Sequence, residues 1–179
     1  KELIKATVNG FFENVSFPKV SVLGHSRGGA DSILASWKNE NVEKLVTWAS
    51  IAKLDRYSDR QKEEWKEKGF WEVLNTRTNQ LMRLNYSLLE DILKNKDTSL
   101  NLERAVSELE IPYLILHGDQ DLAVPVDEAK QLYEWSDKEN TQIHIIEKTG
   151  HTFDIKHPFE ETNSKFEQLI SLTLNFLKN

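Results

Sequence analysis

The sequence predicts an α/β fold: a mostly parallel sheet of about four strands, flanked by helices and interrupted by one long insertion. Two observations carry that prediction. Four short, largely apolar runs at residues 20–23, 45–49, 113–116 and 143–146 alternate with stretches of helical periodicity, a pattern that argues for right-handed crossovers in a sheet covered on both faces. The last two runs each lead into a polar cluster before the next helical stretch, and sites in open α/β sheets gather at the carboxyl ends of the strands.

Taken in order, Leu3, Ile4, Val8, Phe11 and Phe12 recur near helical spacing until Ser16, Phe17 and Pro18 break the pattern. Residues 20–23 then read as a strand buried on both faces. After Ser26, the residues Ala30, Ile33, Leu34 and Trp37 fall on one helical face, and residues 45–49 supply the second strand. Beyond the insertion, Leu102, Ala105, Val106 and Leu109 form a helical stripe, and the third strand follows Pro112. Ala129, Leu132 and Tyr133 mark the next helix. After the fourth strand, Phe166, Leu169, Ile170, Thr173 and Leu177 mark the last one. Such stripes are core-facing.

Residues 50–100 separate two strands by far more than a strand-to-helix connection needs, and so read as an insertion. Ser58 with Gln61 has the spacing of a capping box, Gly69 is placed to end that helix, and Ser87 with Glu90 starts another. Between the helices, Val73, Leu74, Leu81 and Leu84 surround Thr76, Arg77, Thr78 and Asn79, which reads as a small hairpin or an irregular arm.

Composition narrows the function. The chain has 179 residues, 39% of them hydrophobic, which suits one domain with a substantial core. Its net charge of −6 is interspersed along the chain, with no basic stripe to meet a phosphate backbone or an anionic membrane. Neither nucleic acid nor membrane is an expected partner. No cysteine occurs, which excludes disulfides, thiolate zinc sites and a cysteine nucleophile. No apolar window reaches the roughly 20 residues of a bilayer span and no signal-peptide core opens the chain, so cytoplasm is the default compartment.

The chemistry-bearing residues follow the strands. Gly24, His25, Ser26, Arg27 and Gly28, with Gly29 behind them, place a serine where a strand must end and a helix begin. That bend strains the serine backbone, demands neighbours without bulk, and lifts the hydroxyl clear of the sheet beside a helix N-terminus. A serine hydroxyl needs a histidine base and an acid to orient it. Two later strands lead into His117, Gly118, Asp119, Gln120, Asp121 and into Gly150, His151. Asp119 and Asp121 are rival acids, and an aspartate within a turn often caps local backbone. His25 reads as shaping the elbow or pocket, His117 as packing near its strand end, and His144 as a strand residue. Their spacing suits no metal, and none is expected.

The three segments LGHSRGG, LHGDQDLAVP and KTGHTF resemble the signature segments of the α/β-hydrolase superfamily, in the order serine, acid, histidine. The esterase, dienelactone-hydrolase-like and prolyl-oligopeptidase-like branch is the nearest in character. Matched position by position, the resemblance implies Ser26 as nucleophile, Asp121 as acid, His151 as base and the Arg27 backbone N–H as one oxyanion-hole donor, with no cofactor. It covers nearly all of the chain outside the insertion, which it implies is a cap within a single domain spanning 1–179. His25, Trp48, Ser50 and Trp71 are candidates to contact substrate, and Trp65, Phe70 and Met82 could add apolar surface. Family members have several strands before the elbow, whereas only 25 residues precede Ser26, so the chain is expected to be part of a longer protein. The expected activity is cleavage of a carboxylic ester through an acyl-enzyme. Acyl transfer or peptide cleavage with the same residues, or a silent scaffold, are the alternatives.

Overall fold

The computed structural model describes residues 1–11, 16–75 and 78–179. Phe12, Thr76 and Arg77, part of the patterns read above, lie outside the described residues. Along the chain run α1 (Glu2–Val8), β1 (Val20–His25), α2 (Arg27–Ser36), β2 (Val42–Trp48), α3 (Asp59–Lys68), β3 (Phe70–Asn75) and β4 (Gln80–Asn85). Then follow α4 (Tyr86–Asn95), α5 (Leu102–Ser107), β5 (Tyr113–Gly118), α6 (Val126–Trp135), β6 (Thr141–Ile146) and α7 (Ser164–Lys178). These elements fall into two compact units, one formed by Lys1–Ala52 with Leu102–Asn179 and the other by Lys53–Asn101.

In the first unit β1, β2, β5 and β6 form one parallel sheet in that order. Every residue of β5 is buried, as a central parallel strand requires. Side-chain alternation sends Val46, Leu114 and Leu116 to one face, where they cluster with Ile146, Phe153 and Leu169 of α7. Thr47 and Tyr113 project to the other face and share a hydrogen bond of 2.9 Å between hydroxyls. Helix α5 packs against both α2 and α6, and its stripe residues Leu102, Ala105, Val106 and Leu109 are buried. The Lys44 ammonium donates to the carbonyls of Phe176 and Leu177 at 3.1 and 3.0 Å, satisfying the carboxyl end of α7.

The reading of residues 20–23 as a strand buried on both faces is corrected. Strand β1 lies at the sheet edge with a single neighbour, its burial is partial, and Leu23 is 43% exposed. Helix α1 packs against β1 but spans only seven residues and buries Ile4 alone. Leu3 and Phe11 are exposed.

The second unit begins at Lys53 rather than at residue 50, for a visible reason. Ser50 is buried with its Oγ bonded to the Ile51 carbonyl, and the Ala52 N–H donates to Glu128 at 2.7 Å, so these residues belong to the sheet unit. Within Lys53–Asn101, Ser58 and Gln61 form the capping box, and Gly69 ends α3 with φ of 75°. Strands β3 and β4 pair antiparallel as a hairpin. Trp65 is fully buried, donates its indole N–H to the Leu84 carbonyl at 3.0 Å, and meets the Tyr57 ring edge-on. The expected helix start at Ser87 is corrected too. Asn85 flanks α4 and Ser87 lies inside it, because the Tyr86 N–H already bonds to the Gly69 carbonyl where β4 ends. Among the described residues, no helix is long and apolar enough to cross a membrane.

Candidate active site

The bend between β1 and α2 is made by Ser26 alone, with φ of 58° and ψ of −125°. A backbone held there by a residue with a Cβ costs about 1–3 kcal/mol, and persists only where its surroundings over-determine it. They do so here. The Ser26 N–H donates to the Trp48 carbonyl at 2.9 Å, tying the elbow to β2, and the Gly29 N–H donates back to the Ser26 carbonyl. A Cβ on Gly24 would fall 2.1 Å from the Gly28 carbonyl oxygen and 2.3 Å from Ser32 Oγ, so only glycine lets α2 cross β1 this closely. Although Ser26 flanks the helix, its side chain makes no capping bond.

That hydroxyl instead meets His151, whose Nε2 is 2.9 Å from Ser26 Oγ. The other ring nitrogen, Nδ1, is 2.7 Å from Asp121 Oδ2. A carboxylate only accepts, so Nδ1 carries a proton, and in the neutral ring Nε2 then presents its lone pair to the serine. The side chain of Asp121 is fully buried and that of His151 is 22% exposed. Asp121 Oδ1 accepts from the N–H groups of Ala123 and Val124 at 2.9 and 2.8 Å, a local turn that fixes the carboxylate.

Asp119 does a different job. Its Oδ1 accepts from the N–H groups of Lys148 at 2.6 Å and Thr149 at 3.4 Å. The N–H groups of Asp119 and Gln120 in turn bond to the carbonyls of Ile146 and Thr149. The loop bearing Asp121 and the loop bearing His151 are thereby latched together. Sequence pattern left both aspartates open as the acid, and nothing local to either segment signals a bond between two loops.

The two other histidines nearby are more committed than the sequence indicated. His25 donates from Nε2 to the His151 carbonyl oxygen at 2.9 Å, and the two rings lie 4.7 Å apart. His117 is fully buried in β5, with Nε2 2.8 Å from the Val124 carbonyl oxygen and 3.4 Å from Asp121 Oδ2. Burial holds His117 below the usual 6.5, against the opposing pull of the Val124 carbonyl and of Asp121.

The candidates for substrate contact are placed as follows. The indole of Trp48 donates to Thr173 Oγ1 at 3.1 Å and packs edge-on against Phe153 and Phe166, so α7 occupies it. Ser50 is buried behind the elbow, where a Cβ on Gly29 would meet its Oγ at 2.5 Å. Trp71 stacks at a tilt on Trp65 within the Lys53–Asn101 unit. Phe70 carries the Arg83 guanidinium over its ring, and Met82 is exposed. Arg27 is the first residue of α2, where backbone N–H groups have no partner within the helix. Among the described residues, no group of three or more His, Cys, Asp or Glu side chains is gathered as a metal site.

No protein-family model and no curated protein matches the chain. Solved structures do. An esterase domain from a Rhodothermus marinus protein is 17% identical with a TM-score of 0.58, over 86% of this chain and 60% of that one. A putative hydrolase from Agrobacterium vitis is 18% identical with a TM-score of 0.64, over 89% of this chain and 61% of that one. A monoacylglycerol lipase from Paleococcus ferrophilus is 15% identical with a TM-score of 0.68, over 99% of this chain and 73% of that one. The chain thus spans less than two thirds of the first two structures. At such identities the likeness concerns architecture, and the parallel sheet with its strand-to-helix elbow has the α/β-hydrolase fold.

Proposed function

We propose that the chain is part of a serine hydrolase that cleaves carboxylic esters through an acyl-enzyme. The observation that carries this reading is the continuous hydrogen-bond chain from Asp121 through His151 to Ser26, assembled from the ends of three parallel strands. Ser26 Oγ attacks the ester carbonyl while His151 Nε2 takes the hydroxyl proton. The oxyanion that forms is stabilised by the Arg27 N–H at the amino end of α2. As the tetrahedral intermediate collapses, the ester C–O bond breaks and the leaving alkoxide takes the proton from His151. Water then attacks the acyl-serine, giving a proton to Nε2 that returns to Ser26 as the carboxylic acid departs. Asp121 keeps the ring in the Nδ1–H form and stabilises the imidazolium in both halves of the cycle.

The Lys53–Asn101 unit, inserted in the chain shortly after β2, is proposed as the cap of this hydrolase. Labelling with a fluorophosphonate, followed by peptide mapping, tests the central reading. Modification is expected at Ser26 and is expected to vanish in Ser26→Ala, together with turnover of a p-nitrophenyl ester. Labelling elsewhere, or undiminished turnover in the variant, sinks the proposal.

A further inference from the structure

His117 is a buried titratable residue that the proposed cycle does not use, and its surroundings define its protonation. Two oxygens, the Val124 carbonyl at 2.8 Å and Asp121 Oδ2 at 3.4 Å, face the same ring nitrogen. Acceptors converging on Nε2 require a hydrogen there. Nδ1 is buried without a partner, so a proton on it would be an orphan donor in a closed site. The ring is therefore neutral and in the Nε2–H form. Around it the charged or titratable groups are Asp121, His151 and Glu128.

Val124 gives this contact its leverage. Its N–H holds Asp121 Oδ1 while its carbonyl takes the His117 proton. The imidazole thus grips the turn that carries the carboxylate and also stands beside the oxygen that faces His151. Being neutral, it steadies that oxygen without contributing a second cation to compete with the imidazolium of His151.

We propose that His117 is a positioning residue, whose Nε2–H anchors the Asp121 turn and directs Oδ2 at His151. This inference rests on the serine-hydrolase reading for its effect on rate, although the geometry it asserts can be tested without turnover.

The protein containing this chain, labelled with ¹⁵N in histidine, is the sample for the first measurement. His117 is expected as the neutral Nε2–H form at pH 7, and a charged ring or an Nδ1–H form overturns the proposal. Two variants supply the second. His117→Gln keeps an N–H donor near the position of Nε2, and His117→Met fills the space without one. The low-field Nδ1–H proton signal of His151 should persist in wild type and His117→Gln and shift or broaden away in His117→Met. Ester turnover should divide the same way: kcat falls about tenfold in His117→Met with KM unchanged, and recovers in His117→Gln. Equal signals or equal rates in the two variants overturn the proposal. A wild-type protein containing this chain that neither labels at Ser26 nor turns over ester rejects the hydrolase reading alone, and the resonance measurements still decide the role of His117. Should His117→Met fail to fold, the wild-type tautomer decides it.

Discussion

His25 Nε2 donates to the carbonyl oxygen of His151 across 2.9 Å, so the residue before the elbow serine holds the backbone of the residue whose ring reaches that serine. One bond spans the two loops whose separation must be right for the proposed proton transfer. His25→Phe keeps a ring beside His151 and removes the donor. Ester turnover by the variant is expected to fall about tenfold in kcat, since a slack base loop misplaces Nε2. The thermal midpoint should move little, because His25 is an exposed residue. Unchanged kcat in a steady-state assay would show that the latch between Asp119 and the Lys148–Thr149 backbone is sufficient.

Gly24 and Gly28 flank the same serine yet are expected to respond oppositely to an added methyl. At Gly24 the methyl collides with backbone at 2.1 Å, whereas at Gly28 it meets nothing within 4 Å. Gly24→Ala should lose about 2–3 kcal/mol in urea unfolding, as α2 is pushed off β1. Gly28→Ala, inside the first turn of α2, should gain about 0.5 kcal/mol from reduced freedom of the unfolded chain.

The contrast between these glycines shows what sequence could and could not convey. That small residues must surround Ser26 follows from a strand ending and a helix beginning within two residues, which is local. Which glycine is indispensable depends on where Ser32 and the Gly28 carbonyl come to rest, which is a packing fact. Ser26 and His151 stood out because each follows its own apolar run, whereas Asp121 and Asp119 follow the same run and only the resemblance of LHGDQDLAVP favoured Asp121. The links between loops made by His25 and Asp119 were not legible, since no periodicity or motif records a bond between residues 126 positions apart, as His25 and His151 are. Val20, Val22 and Leu23 suit a buried strand, and among the described residues the strand order gives β1 the single neighbour β2.

Two groups contribute to the acid limb of stability, in separate windows. His117 titrates lower in the folded protein than the ordinary 6.5 because it is buried. As pH falls below about 6.5 the unfolded chain takes up a proton that the native state refuses, so stability present above that value is lost progressively. His117→Gln, which cannot titrate, should flatten the fall in thermal midpoint between pH 7 and pH 5. Glu108 is held at about 2, from 4.5, first by Arg104 and then by Lys38 and the Trp37 indole N–H. Its carboxylate lies 2.8 Å from Arg104 Nε, 2.9 Å from Lys38 Nζ and 3.0 Å from Trp37 Nε1. Here the unfolded chain gains its proton near 4.5 and the native one near 2, so the stability Glu108 contributes vanishes across that interval. The difference in midpoint between wild type and Glu108→Gln should therefore be constant from pH 7 to pH 5 and close below pH 4.

The elbow itself offers the sharpest separation of stability from function. At φ 58° and ψ −125°, Ser26 occupies the mirror image of an ordinary extended conformation, free to glycine and costly to any residue with a Cβ. Ser26→Ala and Ser26→Gly both forfeit the bond to His151 Nε2, so comparing them cancels that loss and isolates the backbone term. Glycine relieves strain of about 1–3 kcal/mol and returns about 0.4–1 kcal/mol through its freer unfolded chain. Ser26→Gly should therefore be more stable than Ser26→Ala by about 1 kcal/mol in urea midpoints at unchanged slope. Neither variant should accept a fluorophosphonate. Equal midpoints would mean that the bend is unstrained, and that the serine needs no more from its glycine neighbours than a clear path to His151.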